Sequence, residues 1–217
     1  MKETVPRALR ALLVTATLAG LVSPPAVAQS LSLAPSIGLY APTTELVSGL
    51  VNGGGNISFK QNLGLALGGR LGLKFGSHFG ISATGSYVPK SLQATVSETG
   101  VSQNTDEYTN LWFGTGRVNV WLLPPSSILA IGANGGVGVV GRGETVVTDD
   151  GGTQYTDPSR TDIGGVVGGT VGLNLGVIGV FVSVDDYIYK PSVFQELGIA
   201  ARTQNDLQFS FGLGTRF

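Results

Sequence analysis

Residue types that commonly perform catalysis are scarce in this sequence. The chain of 217 residues has one histidine, His78, and no cysteine. A serine nucleophile needs a neighbouring base, and His78 falls in a short predicted turn, where a polar residue is ordinary. Without cysteine there is no disulfide and no thiolate metal ligand. We therefore predict no catalytic residues and no enzymatic activity.

One group of acids has the composition, but not the spacing, of a calcium site. Asp149, Asp150 and Asp157 lie close to the pair Gly151-Gly152. They do not follow the D-x-[DN]-x-[DN]-G pattern of a calcium-binding loop. We predict a solvated acidic loop here, with no metal site and no bound cofactor.

Charged residues within apolar segments are more informative. Only 12% of the residues are charged, against 42% hydrophobic. Eight charged residues interrupt apolar segments: Arg70, Lys74, Arg117, Arg142, Asp162, Asp185, Asp206 and Arg216. Such charges need partners or water, because an isolated buried charge is very costly. The segments that carry them must therefore hold them in a shared polar interior.

Those segments alternate with period two, most clearly over residues 205–217. One face carries Leu207, Phe209, Phe211, Leu213, Thr215 and Phe217, and the other carries Asp206, Gln208, Ser210, Gly212, Gly214 and Arg216. Successive side chains of a strand point to opposite faces. The pattern therefore predicts a strand with one apolar face and one small or polar face.

Eight segments show this alternation with different strength. They are 31–40, 63–75, 80–88, 109–122, 128–142, 161–175, 178–185 and 205–217. Most reach the ~9–11 residues of a tilted membrane-spanning strand, whereas no mature segment has the ~18 uninterrupted apolar residues typical of a spanning helix. The connections alternate between short (76–79, 123–127 and around Gly176) and long, polar ones (41–61, 91–108, 143–160 and 191–204). We predict an all-β, eight-stranded antiparallel up-and-down transmembrane barrel.

The N-terminal 28 residues predict a cleaved signal peptide. Lys2, Arg7 and Arg10 precede an apolar stretch, and Ala26-Val27-Ala28 forms an A-x-A cleavage site. The barrel domain is then 29–217. Removing the signal leaves 10 basic and 13 acidic residues out of the 13 and 14 of the chain, a net charge of −3. This net negative charge gives no indication of nucleic-acid binding.

Aromatic residues cluster near the predicted strand ends. Tyr40, Tyr87, Tyr108, Trp112, Tyr187 and Tyr189 fall toward the long loops, and Phe75, Phe79, Trp121 and Phe217 fall toward the short turns. Rings with an apolar body and a polar tip favour the membrane interface. We predict two interfacial girdles.

The composition of the second face decides which face meets lipid. In a soluble lipocalin-like barrel, which is the alternative, the apolar face would point inward. Strand 63–75 would then expose mainly glycine and alanine, and interior glycines offer nothing to pack. A narrow lumen, in contrast, needs small residues beside a few long ones. We predict the apolar face outside.

The predicted strand directions separate the lumen charges along the barrel. Arg70, Lys74, Arg117 and Arg216 fall in the half near the short turns, and Arg142, Asp162, Asp185 and Asp206 in the half near the long loops. Two interpretations follow. The charges form salt bridges that fill the lumen, or they line a narrow channel whose basic half favours small anions.

The whole pattern resembles the small outer-membrane barrels of the OmpA/OmpX/OmpW class. The resemblance rests on the signal peptide, eight strands, four long loops and the closing Phe211-Gly212-Leu213-Gly214-Thr215-Arg216-Phe217. It implies a location in the outer membrane, contact with its lipid, and recognition by the barrel assembly machinery. In that class a terminal aromatic residue on an alternating strand is the assembly signal, a role matched by Phe209, Phe211, Leu213 and Phe217.

Three functions remain open from the sequence. The first is a non-enzymatic structural or surface-interaction role, with an extracellular partner bound by the acidic loops at 91–108 and 143–160. The second is a narrow passive channel for small polar or anionic solutes. The third is a soluble, lipocalin-like ligand-binding barrel.

Overall fold

The computed structural model describes residues 30–43, 47–50, 56–89, 92–98, 101–105, 109–148, 154–192 and 203–215. Within these ranges, eight strands form a closed barrel: β1 (Ser30–Pro42), β4 (Gly64–Phe75), β5 (Phe79–Val88), β8 (Leu111–Leu123), β9 (Leu129–Arg142), β12 (Arg160–Leu175), β13 (Ile178–Tyr189) and β14 (Gln204–Thr215). Each overlaps one predicted segment. Among the described residues, no helix has the length and apolar character needed to cross a membrane.

The barrel is antiparallel throughout, and each strand pairs with the next barrel strand along the chain. It closes at β1, where Leu39 pairs with Phe209 of β14 on one side and with Leu65 of β4 on the other. Glycines with positive φ, Gly76 (71°) and Gly176 (83°), form two of the short turns. These turns mark the turn end of the barrel, and the opposite end is called the loop end. The predicted up-and-down barrel is confirmed.

The outer surface of the barrel is apolar on every strand. On β14, Phe209, Phe211 and Leu213 are exposed while the intervening Gln208 and Ser210 are buried in the lumen. The other strands follow the same rule, for example with Leu33, Leu71, Ile81, Val118, Val137, Val171 and Val182 exposed. An apolar surface this continuous suits hydrocarbon and not water. The fold is that of a transmembrane barrel, and the soluble lipocalin-like alternative is wrong.

The predicted aromatic girdles are correct only in part. Tyr87, Trp112, Phe75 and Phe79 are exposed on the outer surface. Tyr40, Tyr187, Tyr189 and Trp121, in contrast, are buried in the lumen. These residues lie near strand ends, which suggested an interfacial position. Alternate residues of a strand face opposite sides of the barrel wall, however, and this alternation decides between lipid and lumen. Tyr108 and Phe217 lie outside the described residues.

Three of the long connections, which were predicted as polar loops, contain short strands. Four of them, β2 (Val47–Leu50), β3 (Asn56–Gln61), β6 (Leu92–Glu98) and β7 (Val101–Thr105), form one sheet in the order β2-β3-β6-β7. Two more, β10 (Thr145–Thr148) and β11 (Gln154–Asp157), form a hairpin. These strands are short, and the β3–β6 pairing joins segments far apart in sequence. Periodicity within one segment does not reveal such a pairing.

Candidate functional site in the barrel lumen

The lumen is filled by the alternate, inward-facing side chains of all eight barrel strands. Because the inward faces are rich in glycine, the long side chains have room to meet across the barrel. Six of the eight predicted lumen charges are buried there: Arg70, Arg117, Arg142, Asp162, Asp185 and Asp206. Lys74 is half-buried near the turn end, and Arg216 lies outside the described residues.

A hydrogen-bonded cluster closes the loop end around Asp206. The hydroxyls of Tyr40 and Tyr189 each donate to Asp206 Oδ2 at 2.6 Å. The Gln61 side chain completes the cluster, and with its amide nitrogen toward Asp206 it donates to both carboxylate oxygens at 3.2–3.3 Å. All four side chains are buried. A carboxylate held by several donors can remain charged without a cation in contact.

A buried ion pair lies beside this cluster. Arg142 Nη2 is 2.6 Å from Asp162 Oδ2, and the Arg142 guanidinium carbon lies 6.0 Å from the centroid of the Tyr189 ring. Asp162 Oδ1 also accepts hydrogen bonds from the backbone nitrogen and the hydroxyl of Ser192, at 3.0 and 2.5 Å. The pair therefore attaches the segment after β13 to the barrel wall.

The middle of the lumen is crossed by a second ion pair. Arg117 Nη1 lies 2.5 Å from Asp185 Oδ1. The remaining guanidinium nitrogens are also bonded, with Nε donating to Thr115 Oγ1 at 2.8 Å and Nη2 donating to the Tyr187 hydroxyl at 3.0 Å. Asn134 Oδ1 accepts a further bond from Nη1 at 3.2 Å. This network links β8, β9 and β13 across the interior.

A glycine makes room for this ion pair. Gly168 pairs with Asp185 across β12 and β13, and a β-carbon on Gly168 would overlap Asp185 Oδ1. The lumen face of β12 must therefore lack a side chain at this position if Asp185 is to reach Arg117. Glycines on the lumen face were predicted as a class, and the structure identifies Gly168 as a requirement of the ion pair.

Aromatic rings pack between two polar layers of the lumen, the Asp206 cluster at the loop end and the Arg117–Asp185 pair in the middle. The Phe113 centroid lies 5.6 Å from that of Tyr40 and 4.5 Å from that of Tyr187, in tilted arrangements. Val88, Leu111 and Val140 belong to the same buried cluster. Tilted aromatic pairs add modestly to the hydrophobic effect. The loop-end half of the lumen therefore has an apolar core between polar layers.

Arg70 occupies a different environment from the paired arginines. Its Nη1 donates to Thr170 Oγ1 at 3.2 Å, and its guanidinium carbon lies 4.8 Å from the centroid of the Phe181 ring. Arg70 and Arg117 both line a cavity of about 20 Å³, together with Asp185 and several hydroxyl side chains. A cavity of this size holds one or two water-sized species.

The predicted lengthwise separation of charge is wrong for Arg117 and Asp185. Strand order placed Arg117 in the turn-end half and Asp185 in the loop-end half, yet they form an ion pair. Backbone register explains the difference. Across β9 and β12, Arg117 is level with Tyr187, two residues from Asp185. A residue's position in its own strand does not give its height relative to a distant, tilted strand.

Some residues of the lumen networks were not predicted from the sequence. Tyr40 and Tyr189 were assigned to a girdle, although their parity with the small or polar lumen residues of their strands would have placed them inside. Gln61 had no local signal, because it lies at the end of β3 in a segment treated as a loop. Its role depends on the path of the chain between β1 and β4.

The other candidate chemical groups do not join this site. His78 is exposed in the turn between β4 and β5, as predicted, and its carbonyl accepts a hydrogen bond from the Trp121 backbone nitrogen at 2.8 Å. Asp149 and Asp150 lie outside the described residues, and Asp157 ends β11. Among the described residues, no cluster of three or more histidine, cysteine or acidic side chains is arranged to hold a metal ion.

The same architecture is found in solved bacterial structures. The outer membrane protein OprG from Pseudomonas aeruginosa is 11% identical, with a TM-score of 0.58 over 86% of this chain and 95% of that chain. Neisserial surface protein A (NspA) is 10% identical, with a TM-score of 0.56 over 87% of this chain and 99% of that chain. The sequence matches no protein-family model and no curated protein. At these identities the likeness concerns the fold alone: the chain has the fold of the small eight-stranded outer-membrane barrels.

Proposed function

We propose that this protein is a non-enzymatic, integral barrel of the outer membrane that binds a partner at the cell surface. The binding surface is the four-stranded sheet β2-β3-β6-β7, called the loop sheet. The observation that carries the proposal is the β3–β6 pairing, from Asn56 with Ser97 to Gln61 with Leu92. It joins the first two long connections into one structure at the loop end, which is a platform rather than two separate loops.

The location in the outer membrane is supported by the barrel itself. Its apolar outer surface requires hydrocarbon, and both similar folds belong to surface or outer-membrane proteins. The predicted signal peptide over 1–28 supplies the route of export, and the alternating C-terminal strand supplies the features that the assembly machinery recognises. In this orientation the short turns face the periplasm and the loop sheet faces the outside.

The lumen supports a surface role over transport. The Arg117–Asp185 pair crosses the middle, and the Tyr40–Tyr189–Asp206 cluster fills the loop end. These networks favour a barrel that is closed to solutes. The alternative is a passive channel, which requires both the mid-lumen ion pair and the loop-end cluster to open.

The charge of the long connections favours a basic partner. Residues 91–108 and 143–160 contain seven acids, Glu98, Asp106, Glu107, Glu144, Asp149, Asp150 and Asp157, against the single base Arg160. Complementary charge steers association and contributes to partner choice. We therefore expect a partner with a positively charged surface.

The test begins with bacteria that display the full chain or a variant in which 92–105 is replaced by a short Gly–Ser linker. Adhesion of these cells to surfaces coated with a basic protein and with an acidic protein is measured at low and high salt. We expect the full chain to favour the basic coat, and the variant to adhere weakly to both coats because the binding surface is lost. Equal adhesion by both strains contradicts the assignment to the loop sheet.

A matched variant replaces the β10–β11 hairpin, 145–157, by the same linker. This hairpin is separate from the loop sheet, so most of the adhesion is expected to remain. The preference for the basic coat should weaken, because Asp149, Asp150 and Asp157 are removed. In both variants the fraction of heat-modifiable protein in outer membranes shows whether the barrel has assembled. A full chain found in the soluble periplasmic fraction would contradict the proposed location.

A further inference from the structure

Arg70 is a buried cation without a carboxylate in contact. The residue is 8% exposed, and its buried Nε has no hydrogen-bond partner among the described residues. The one hydrogen bond that it makes to these residues goes to the neutral hydroxyl of Thr170. Within the described part of the chain, no carboxylate oxygen lies within 4.0 Å of its guanidinium nitrogens, in contrast to Arg117 and Arg142.

The cavity beside Arg70 offers hydrogen-bond donors in excess. Gln208 Oε1 already accepts from the Ser86 hydroxyl at 3.0 Å, and Gln208 Nε2 donates to Ser210 Oγ at 3.1 Å. Because Ser210 accepts this bond, its own proton remains to be donated. Asp185 Oδ1 accepts from Arg117 and Asn134, and Asp185 Oδ2 accepts from the Ser183 hydroxyl at 3.5 Å. The polar wall therefore presents several N–H and O–H groups beside the single carboxylate of Asp185.

The charges around the cavity point to the same class of ligand. Two guanidinium groups, Arg70 and Arg117, and one carboxylate, Asp185, line it, which leaves one positive charge uncompensated. Low-dielectric surroundings make such a charge costly unless a counter-ion is present. A donor-rich wall and a net positive charge together are suited to an anion.

We propose that this cavity binds one monatomic anion of the size of chloride or bromide, as a structural counter-ion to Arg70. The volume of about 20 Å³ has room for one or two water-sized species, which matches a single small anion. The site lies within the lumen, and it does not depend on the partner proposed for the loop sheet.

Bromide is the probe for the first experiment. Crystals of the refolded barrel grown in sodium bromide are measured at the bromine absorption edge. The proposal expects an anomalous peak in contact with the Arg70 guanidinium in the cavity, and no such peak for an Arg70→Met variant. Bromide found only at surface positions of the unsubstituted protein overturns the proposal, whether or not the variant refolds.

Stability provides a second readout. Urea unfolding is measured in chloride and in gluconate at equal ionic strength, since gluconate is too large for the cavity. At a chloride concentration ten times the dissociation constant, the ratio of folded to unfolded protein rises about tenfold. This gain is expected in the unsubstituted protein and in Lys74→Gln, which changes a lumen charge on the same strand outside the cavity, and it is lost in Arg70→Met. An equal gain in Arg70→Met rules the site out.

Discussion

Arg117 Nη1 lies 2.5 Å from Asp185 Oδ1 in the middle of the barrel, although the two residues are 68 positions apart in the chain. The side chains are 1% and 4% exposed, so neither charge is screened by bulk water. Each depends on the other and on the surrounding hydroxyl and amide groups. This pair is the most direct target for testing how the lumen is held together.

Removing one partner should be more damaging than removing both. Asp185→Ala leaves a buried guanidinium without its carboxylate, and we expect the free energy of unfolding to fall by about 3–5 kcal/mol. Arg117→Met combined with Asp185→Ala should recover part of this loss. Urea unfolding of the refolded protein in lipid vesicles measures both. Glu144→Gln, at an exposed acid, is the control and should change the stability by less than about 0.5 kcal/mol. If Asp185→Ala is as stable as Glu144→Gln, the ion pair does not stabilise the barrel.

The same pair should control conductance. The unsubstituted barrel is expected to give no channel steps in planar-bilayer recordings, because the mid-lumen network links strands across the interior. Replacing both Arg117 and Asp185 with alanine removes the ion pair that crosses this layer, and we expect small conductance steps to appear. The channel would be favoured instead if the unsubstituted barrel conducts and if Arg70→Ala and Arg117→Ala alter the anion preference of that conductance.

Gly168 should be intolerant of any side chain. A β-carbon there overlaps Asp185 Oδ1 and the Val184 carbonyl, so Gly168→Ala must displace the ion pair, at a loss of about 1–3 kcal/mol. Gly116→Ala is the matched control, since a β-carbon at Gly116 meets no atom within 4 Å. Equilibrium unfolding compares them. Similar losses for the two variants would mean that the overlap at Gly168 is relieved elsewhere.

The Asp206 cluster should depend on its phenol donors. Tyr189→Phe removes the 2.6 Å hydrogen bond to Asp206 Oδ2 without changing the ring, and we expect a loss of about 1–3 kcal/mol, because the buried carboxylate keeps fewer donors. Tyr87→Phe changes an exposed tyrosine of the outer surface and should be close to neutral. Thermal unfolding of the two variants, both refolded in one detergent, distinguishes them. If both variants behave alike, the cluster has no specific stabilising role.

The terminal aromatic residue should affect assembly rather than stability. Deletion of Phe217 is expected to lower the amount of heat-modifiable protein in outer membranes, while the chain refolded in detergent keeps its stability. Deletion of residues 30–31, at the start of the first barrel strand, removes a comparable length and retains the C-terminal pattern. Normal amounts of the Phe217 deletion in membranes would refute the role in assembly.

The sequence by itself determined the number, direction and faces of the barrel strands. Alternation is a local property, because a strand turns each side chain to the opposite face from the last. Phe209, Phe211 and Leu213 were therefore assigned outward and Gln208 and Ser210 inward, as the structure has them. The short turns at Gly76 and Gly176 were local features as well, and both were predicted.

Only the tertiary structure decided which inward-facing residues meet. The Arg117–Asp185 pair depends on the register of four tilted strands, and the placement of Gln61 against Asp206 depends on the path of a long connection. The loop sheet likewise requires β3 and β6 to pair across the first two connections. Period-two alternation fixes the direction of a side chain but not its height relative to distant strands, so the lumen partners, the cavity at Arg70 and the loop sheet emerge only when the barrel closes.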